Sequence, residues 1–424
     1  MTTASRRFFR LLSSLEIWLV GLLVAASMLS SRLLLPALAA AVLFWPVRYL
    51  ASGRLSRRTA PDWPILLMAL SAGLSLWVTS FPEISFPQVY RLLGGIALYY
   101  AIVNWTETAS RLRWVVNGII TASLLLALMA PFSVQWDISK FPFIPASLYA
   151  RFTEVFSDAV NPNVMAGSLA LLLPIALSWL VFSWRQASKR QRTLVGAIVL
   201  VVAGVIFLTQ SRGAWLALAA AVLLIAALRW RWGWLATLSL SLAGIVSVFF
   251  IGLGRLADFF VLSASLGGLD GRLEIWRRAV FLVQDFPFTG VGMGAFGRVA
   301  DVLYPFFIYA PGKVDHAHNL FLQVAVDLGI PGLIAWCAIL GLVSLSSWQL
   351  YRLGRVKMNA LAAGLGAGLL SSQVALVVHG LTDAVTWGMV KPAPLVWVVW
   401  AVAIAGLAVY GKSAPSSSPP QAAT

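Results

Sequence analysis

Apolar runs long enough to cross a bilayer recur from one end of this sequence to the other. Lipid offers no hydrogen bonds to the backbone, so such runs fold as helices packed into a bundle. We read twelve of them: 15–31, 33–50, 64–80, 88–105, 113–131, 162–184, 194–209, 213–229, 233–253, 319–349, 358–381 and 393–411. Hydrophobic residues make up 60% of the chain and charged residues 11%, which excludes a large soluble enzyme. The expected fold is all-α: a polytopic transmembrane helical bundle of about twelve spans, with a large, partly helical outer loop. Residues 1–411 are expected to form one membrane domain, and 412–424, rich in Ser, Pro and Ala, a disordered cytoplasmic tail. The single cysteine, Cys337, excludes a disulfide scaffold.

The net charge of +16 suggests nucleic acid at first glance. Its distribution points elsewhere. With the N-terminus inside, alternate connections carry Arg6, Arg7 and Arg10; Arg48, Arg54, Arg57 and Arg58; Arg111 and Arg113; Arg185, Lys189, Arg190 and Arg192; Arg229 and Arg231; Arg352, Arg355 and Lys357; and Lys412. Every inner connection is basic, while most acidic residues fall outside. The charge follows the positive-inside rule, so both termini are expected in the cytoplasm and nucleic acid loses its support. The basic N-terminal region followed by an apolar stretch reads as an uncleaved first helix.

Two outer loops are long, about 132–161 and about 254–318, and loops of that length usually carry function. Arg151, Arg212, Arg255, Arg272, Arg277, Arg278 and Arg298 break the inside rule. Arg212 lies in a tight Thr-Gln-Ser-Arg-Gly turn at the outer membrane surface, where a guanidinium either snorkels to headgroups or clamps an anion. From Arg272 onward the spacing is helical, and Arg272, Trp276, Ala279, Val280 and Val283 share one face. Glu274 and Arg278 pair at i,i+4 on another. Arg272 is therefore expected to point inward, toward a carboxylate of the fold or toward a ligand.

Gly292-Met-Gly-Ala-Phe-Gly297 matches a dinucleotide fingerprint literally, but no strand–turn–helix unit surrounds it, so a tightly packed loop is expected. His316 and His318 precede a long apolar run. A zinc site needs three or four ligands and only Asp315 and Asp301 stand nearby, so no metal is expected. A neutral imidazole also suits general-base work, and capping or packing would explain both histidines equally well. His379 and Asp383, at i,i+4, read as a structural pair or a proton relay.

His318-Asn319, nine residues, then Gly329-Ile-Pro-Gly332 resembles the histidine motif of O-antigen ligases. Thr209-Gln-Ser-Arg-Gly-Ala-Trp215 resembles the arginine-bearing turn of the same family. Asn161-Pro-Asn163 with Ala166-Gly167, and Pro287 with Gly290-Val-Gly292-x-Gly294-x-Phe296, are similar to it as well. These features span residues 150–332. The family includes O-antigen ligases and polymerases, some protein O-oligosaccharyltransferases, and proteins once proposed to move bicarbonate. The resemblance implies a metal-independent inverting glycosyltransferase without cofactor. It would move a glycan from an undecaprenyl-diphosphate carrier to an acceptor on the outer face of the bacterial inner membrane. His318 would be the base that activates the acceptor hydroxyl. Arg212 and Arg272, with Arg151 as a third, would hold the diphosphate. His316, Asn319, Gly329 and Gly332 would support the site.

Ligase and polymerase differ in acceptor, lipid A core or another carrier-linked glycan, and the histidine pattern favours the ligase. A small-anion transporter, using His379 and Asp383 for coupling, is the alternative from another class; a lipid flippase ranks last. Pro331 is expected to break the long run, leaving a short helix before it that holds His318 at the interface and Asp327 near it.

Overall fold

The computed structural model describes residues 3–27, 30–136, 144–152, 160–251, 268–388 and 392–412. Parts of both outer loops, Arg255, and the expected disordered tail beyond Lys412 lie outside the described residues. Among the described residues the only β pairing is an isolated bridge between Val134 and Val160.

Among the described residues each of the twelve apolar segments is built on a helix. In chain order the helices are α1 (Thr3–Ser14), α2 (Glu16–Ser27), α3 (Leu34–Ser52), α4 (Asp62–Val78), α5 (Pro82–Trp105) and α6 (Ala109–Ser133). Then come α7 (Ala146–Tyr149), α8 (Pro162–Ser183), α9 (Lys189–Leu208), α10 (Arg212–Arg229) and α11 (Gly233–Ile251). The last are α12 (Gly268–Asp285), α13 (Phe296–Leu303), α14 (Leu320–Val356), α15 (Ala360–Gly380) and α16 (Pro394–Gly411). Nine spans among the described residues are long and apolar enough to cross a membrane, the first running continuously over Ser5–Ser27. α4 and α11 are shorter apolar helices, and α5 completes the twelve.

Local chemistry sets the helix starts. Asn161 caps α8, with Pro162 in its first turn, and Ser188 and Gln191 form a capping box on α9. Asn319 accepts from the amides of Phe321 and Leu322 and so begins α14. The break in that long run falls at Gly329 rather than Pro331. Gly329 has φ 71° and ψ −177°, a conformation open essentially to glycine alone. A Cβ there would also lie 2.8 Å from the carbonyl oxygen of Pro287. Pro331 sits just after the break, near the start of the next helical stretch, where its missing amide costs little.

α15 runs through the bundle against α8, α10 and α14, and α16 packs on α5 and α14. Gly364 and Gly368 let α15 approach α8 so closely that the Ser178 hydroxyl donates to the Gly364 carbonyl at 2.7 Å. Small residues at this spacing gain dispersion contacts where lipid provides no hydrophobic drive.

The outer loop has a small core of its own, built from Ile275, Ala279, Leu282, Phe296, Ala300 and Val314 and their neighbours. Burying a large apolar side chain away from water stabilises such a core by roughly 1.5–3 kcal/mol. The buried stripe of α12 is Arg272, Ile275, Ala279 and Leu282. It is rotated from the expected face: Val280 is exposed, while Ile275, Ala279 and Leu282 pack in the loop core and against α14. Glu274 pairs with Arg278 at 3.4 Å as its spacing predicts, and also accepts from the amides of Phe307 and Ile308.

Candidate functional site

The segment just after α15, residues 381–383, is where distant parts of the chain meet. Arg272, from the start of α12, donates to the Thr382 carbonyl. Asn319 donates to the Leu381 carbonyl at 3.2 Å. The turn bearing Arg212 presses on the same segment: a Cβ on Gly213 would lie 2.4 Å from the Thr382 hydroxyl and 3.6 Å from His379. That turn is itself fixed. Gln210 takes a left-handed φ of 51° and donates to the Tyr149 hydroxyl at 2.8 Å, which in turn donates to the Leu208 carbonyl. Arg151 lies two residues beyond Tyr149 and is exposed. The anchor brings its turn toward Arg212, but no described contact joins Arg151 itself to the cluster.

Asp383 is the charge at the centre. Its carboxylate lies 3.8 Å from His316 Nε2 and 3.8 Å from His318 Nδ1. The two imidazoles touch at a tilt of 47°, with ring centres 4.0 Å apart. The His318 amide donates to His316 Nδ1 at 3.2 Å, so that nitrogen is an acceptor, and Nε2 is the nitrogen that faces Asp383. Asp383 lies on the Nδ1 side of His318, and that nitrogen is buried and makes no hydrogen bond, the carboxylate standing just beyond hydrogen-bond distance. His318 holds a left-handed φ of 47°, unusual for a residue other than glycine and a kind of strain that clusters at functional sites.

Burial, aided by the neighbouring His316 and Arg272 and opposed by Asp383, pushes His318 down to about 3. Burial pushes the Asp383 carboxyl up, but the three imidazoles and Arg272 more than reverse this, so it lies below its ordinary value. Burial lowers Arg272. Among the described residues no carboxylate comes within 4.0 Å of its guanidinium, so the fold supplies it no direct ion pair. At neutral pH His318 is uncharged and able to take a proton. Its depressed value also sets a sign for stability. The unfolded imidazole protonates near 6.5 and the folded one near 3, so the stability it contributes is complete above pH 6.5 and is lost as pH falls toward 3. Thermal unfolding across this range should show a steeper acid decline for the wild type than for His318→Asn. Equal slopes would contradict the buried neutral imidazole.

Below the histidines, Asp327 is fully buried and accepts three hydrogen bonds. They come from the Gly294 amide at 3.1 Å, Gln323 Nε2 at 2.9 Å and the Trp387 indole at 2.7 Å. Gln323 also accepts from the Ala317 amide, between the two histidines. The glycine-rich loop, α14 and the segment after Asp383 are thereby locked together. Gly292–Gly297 serves close packing, as expected, with no βαβ unit among the described residues.

The structure brings His316, His318, Asn319, Arg272 and the Arg212 turn to one place. Asn319 acts as a helix cap, and Gly329 and Gly332 shape the break behind the site. Sequence reasoning missed Asp383 as the partner of His316 and His318, having paired it with His379 through their i,i+4 spacing. That spacing brings the two together through the backbone, the Asp383 amide donating to the His379 carbonyl at 3.0 Å, and the His379 ring adds to the positive field on the Asp383 carboxylate. The two expected acidic neighbours are elsewhere: Asp301 accepts from the Gly312 amide, and Asp315 is exposed. His316, His318 and Asp383 place three donor atoms within 4.8 Å of one another, the number a catalytic zinc ion retains.

A family model described as O-antigen ligase matches residues 197–337. This stretch holds Arg212, Arg272, His316 and His318. No curated protein matches the chain.

Proposed function

Since residues 197–337 match a family model described as O-antigen ligase, we propose that this multi-pass membrane protein is an inverting glycosyltransferase. It takes a glycan from an undecaprenyl-diphosphate carrier and joins it to an acceptor hydroxyl, with lipid A core as the acceptor. It sits in the bacterial inner membrane with both termini in the cytoplasm and the histidine site facing the periplasm, as the charge bias favours. The observation that carries this reading is the meeting of His318, Asp383 and Arg272 with the Arg212 turn at residues 381–383.

The chemistry follows from that arrangement. His318 Nε2 takes the proton of the acceptor hydroxyl. The hydroxyl oxygen attacks the anomeric carbon from the face opposite the diphosphate, and the carbon–oxygen bond to the diphosphate breaks. The electron pair leaves with the diphosphate, whose growing charge falls on Arg272 and Arg212, with Arg151 as a third contact. Asp383 orients His318 and stabilises the imidazolium as it forms. His316, whose Nδ1 accepts from the His318 amide, supports His318 rather than replacing it. Phe207 and Trp215 stack at 5.1 Å across the Arg212 turn, and Phe207 is exposed, which suits an isoprenoid chain entering from lipid. Against a transporter, Asp383 serves the outer histidines and Asp327 has its acceptors filled.

The test is transfer by purified protein in EDTA, with undecaprenyl-diphosphate glycan and lipid A core. Wild type should transfer with the metal chelated. Arg272→Lys, which loses the planar fork, should transfer about a hundredfold more slowly. Activity that vanishes in EDTA and returns with zinc would instead assign His316, His318 and Asp383 to a metal. Glycan appearing on a second carrier-linked glycan, and none on lipid A core, would make the protein a polymerase.

A further inference from the structure

The second concentration of charge lies at the opposite end of the bundle from the histidines. α5 connects the two. At one end a Cβ on Gly292 would meet Ser85, and at the other Asn104 and Trp105 line a cavity of about 480 Å³. The twenty residues between rise roughly 30 Å, the thickness of a hydrocarbon core. Five guanidiniums line this cavity: Arg10, Arg48, Arg54, Arg57 and Arg111. Two carboxylates answer them. Glu16 pairs with Arg48 at 3.4 Å, and Glu107 pairs with Arg57 and, at 3.6 Å, with Arg111. An adjoining cavity shares Arg54 and Arg57 and adds Arg58 and Lys412.

We propose that this basic cavity binds the phosphate headgroup of an anionic phospholipid from the leaflet on that side. The proposal goes beyond glycan transfer and does not depend on it. Charge bias alone accounts for basic residues on a surface, but not for Arg48. Its side chain lines the cavity, the residue is only 5% exposed, and Nη1 has no hydrogen-bond partner. A buried guanidinium nitrogen without an acceptor is costly, and a phosphate oxygen supplies one. The cavity wall is also preorganised. The Arg57 amide donates to the Asn104 side chain at 3.0 Å, and Asn104 donates to the Ser56 hydroxyl at 3.0 Å.

A lipid fits better than a soluble phosphate because the surroundings are apolar. α1 carries Arg6, Arg7 and Arg10 beside Phe8 and Leu11, two apolar side chains that are both more than 60% exposed. Trp45 and Tyr49 of α3 are exposed on the same side, at the depth where aromatic residues meet headgroups. Basic pockets between spans hold anionic headgroups in this way.

The experiment uses the full chain in nanodiscs of mixed phosphatidylglycerol and phosphatidylcholine, released and weighed by native mass spectrometry. Wild type should retain phosphatidylglycerol in preference to phosphatidylcholine. Arg10→Ala/Arg54→Ala removes two exposed charges and leaves the buried pair intact, so the fold is kept. It should weaken that retention by about fivefold per arginine. Arg190→Ala/Arg192→Ala, basic but outside the cavity, should retain lipid as wild type does. No preference in the wild type, or an equal loss in the Arg190/Arg192 control, overturns the site. If millimolar inorganic phosphate strips the lipid and stabilises the protein equally well, the occupant is a soluble phosphate and the lipid assignment falls.

Discussion

His318→Asn is expected to slow glycan transfer by roughly 10²–10⁴-fold while the protein stays folded, the range for loss of a general base. Asparagine is the informative replacement because it tolerates the left-handed backbone that His318 occupies. The loss then reports the missing imidazole rather than a strained loop. Donor KM should change little, because the diphosphate contacts lie on arginines. His318→Gly should regain part of its rate with added imidazole, which a purely structural histidine would not allow. His316→Asn should slow transfer less, since it removes an acceptor for the His318 amide but leaves the proton-accepting nitrogen in place. A His318→Asn protein that transfers within twofold of wild type would remove the base from this position, and with it the reading of Asp383 as its orienting partner.

Asp327→Leu should be the most destabilising single change near the site. Leucine fills a similar volume but accepts nothing, so the Gly294 amide, the Gln323 amide group and the Trp387 indole would all be left buried without their acceptor. Each orphaned donor costs about 1–3 kcal/mol, so losing the acceptor of all three is expected to cost on the order of 3–9 kcal/mol. That is a large fraction of a typical folding free energy of about 5–15 kcal/mol. Thermal unfolding in detergent should fall by roughly 5–10 °C, and transfer should drop as well, because the same bonds hold the segments on either side of the histidines. Trp387→Phe, which removes one donor and leaves the carboxylate two, should cost much less. An unchanged melting temperature for Asp327→Leu would mean that the network is not what locks the outer loop to α14.

The helical bundle was legible because each span is a local solution. An apolar run of sufficient length in lipid must satisfy its own backbone, and nothing distant is needed to tell it so. The caps at Asn161, Ser188 and Asn319 are likewise local, and so is the Glu274–Arg278 pair. The break in α14 was only half legible. Pro331 signals an interruption in any helix, but the interruption moved to Gly329, where Pro287 and Phe288 crowd the backbone. Those contacts cross more than forty residues of chain.

The site divides along the same line. His318, Arg212 and Arg272 stand out in the sequence because charge and imidazole are rare and costly at a membrane surface. Their motifs resemble a known family. Asp383 did not stand out as their partner, since its nearest titratable neighbour in sequence is His379. A helical spacing of four residues relates their positions along one segment, whereas a carboxylate facing two histidines some 65 residues away depends on how α14 packs on α15. Composition and periodicity thus determined a membrane bundle and the residues able to do chemistry, because solvent acts on every residue separately. Which of them meet was decided by tertiary packing, because close approach of α8, α10, α14 and α15 is what brings the Arg212 turn, Arg272 and the histidines to the carboxylate of Asp383.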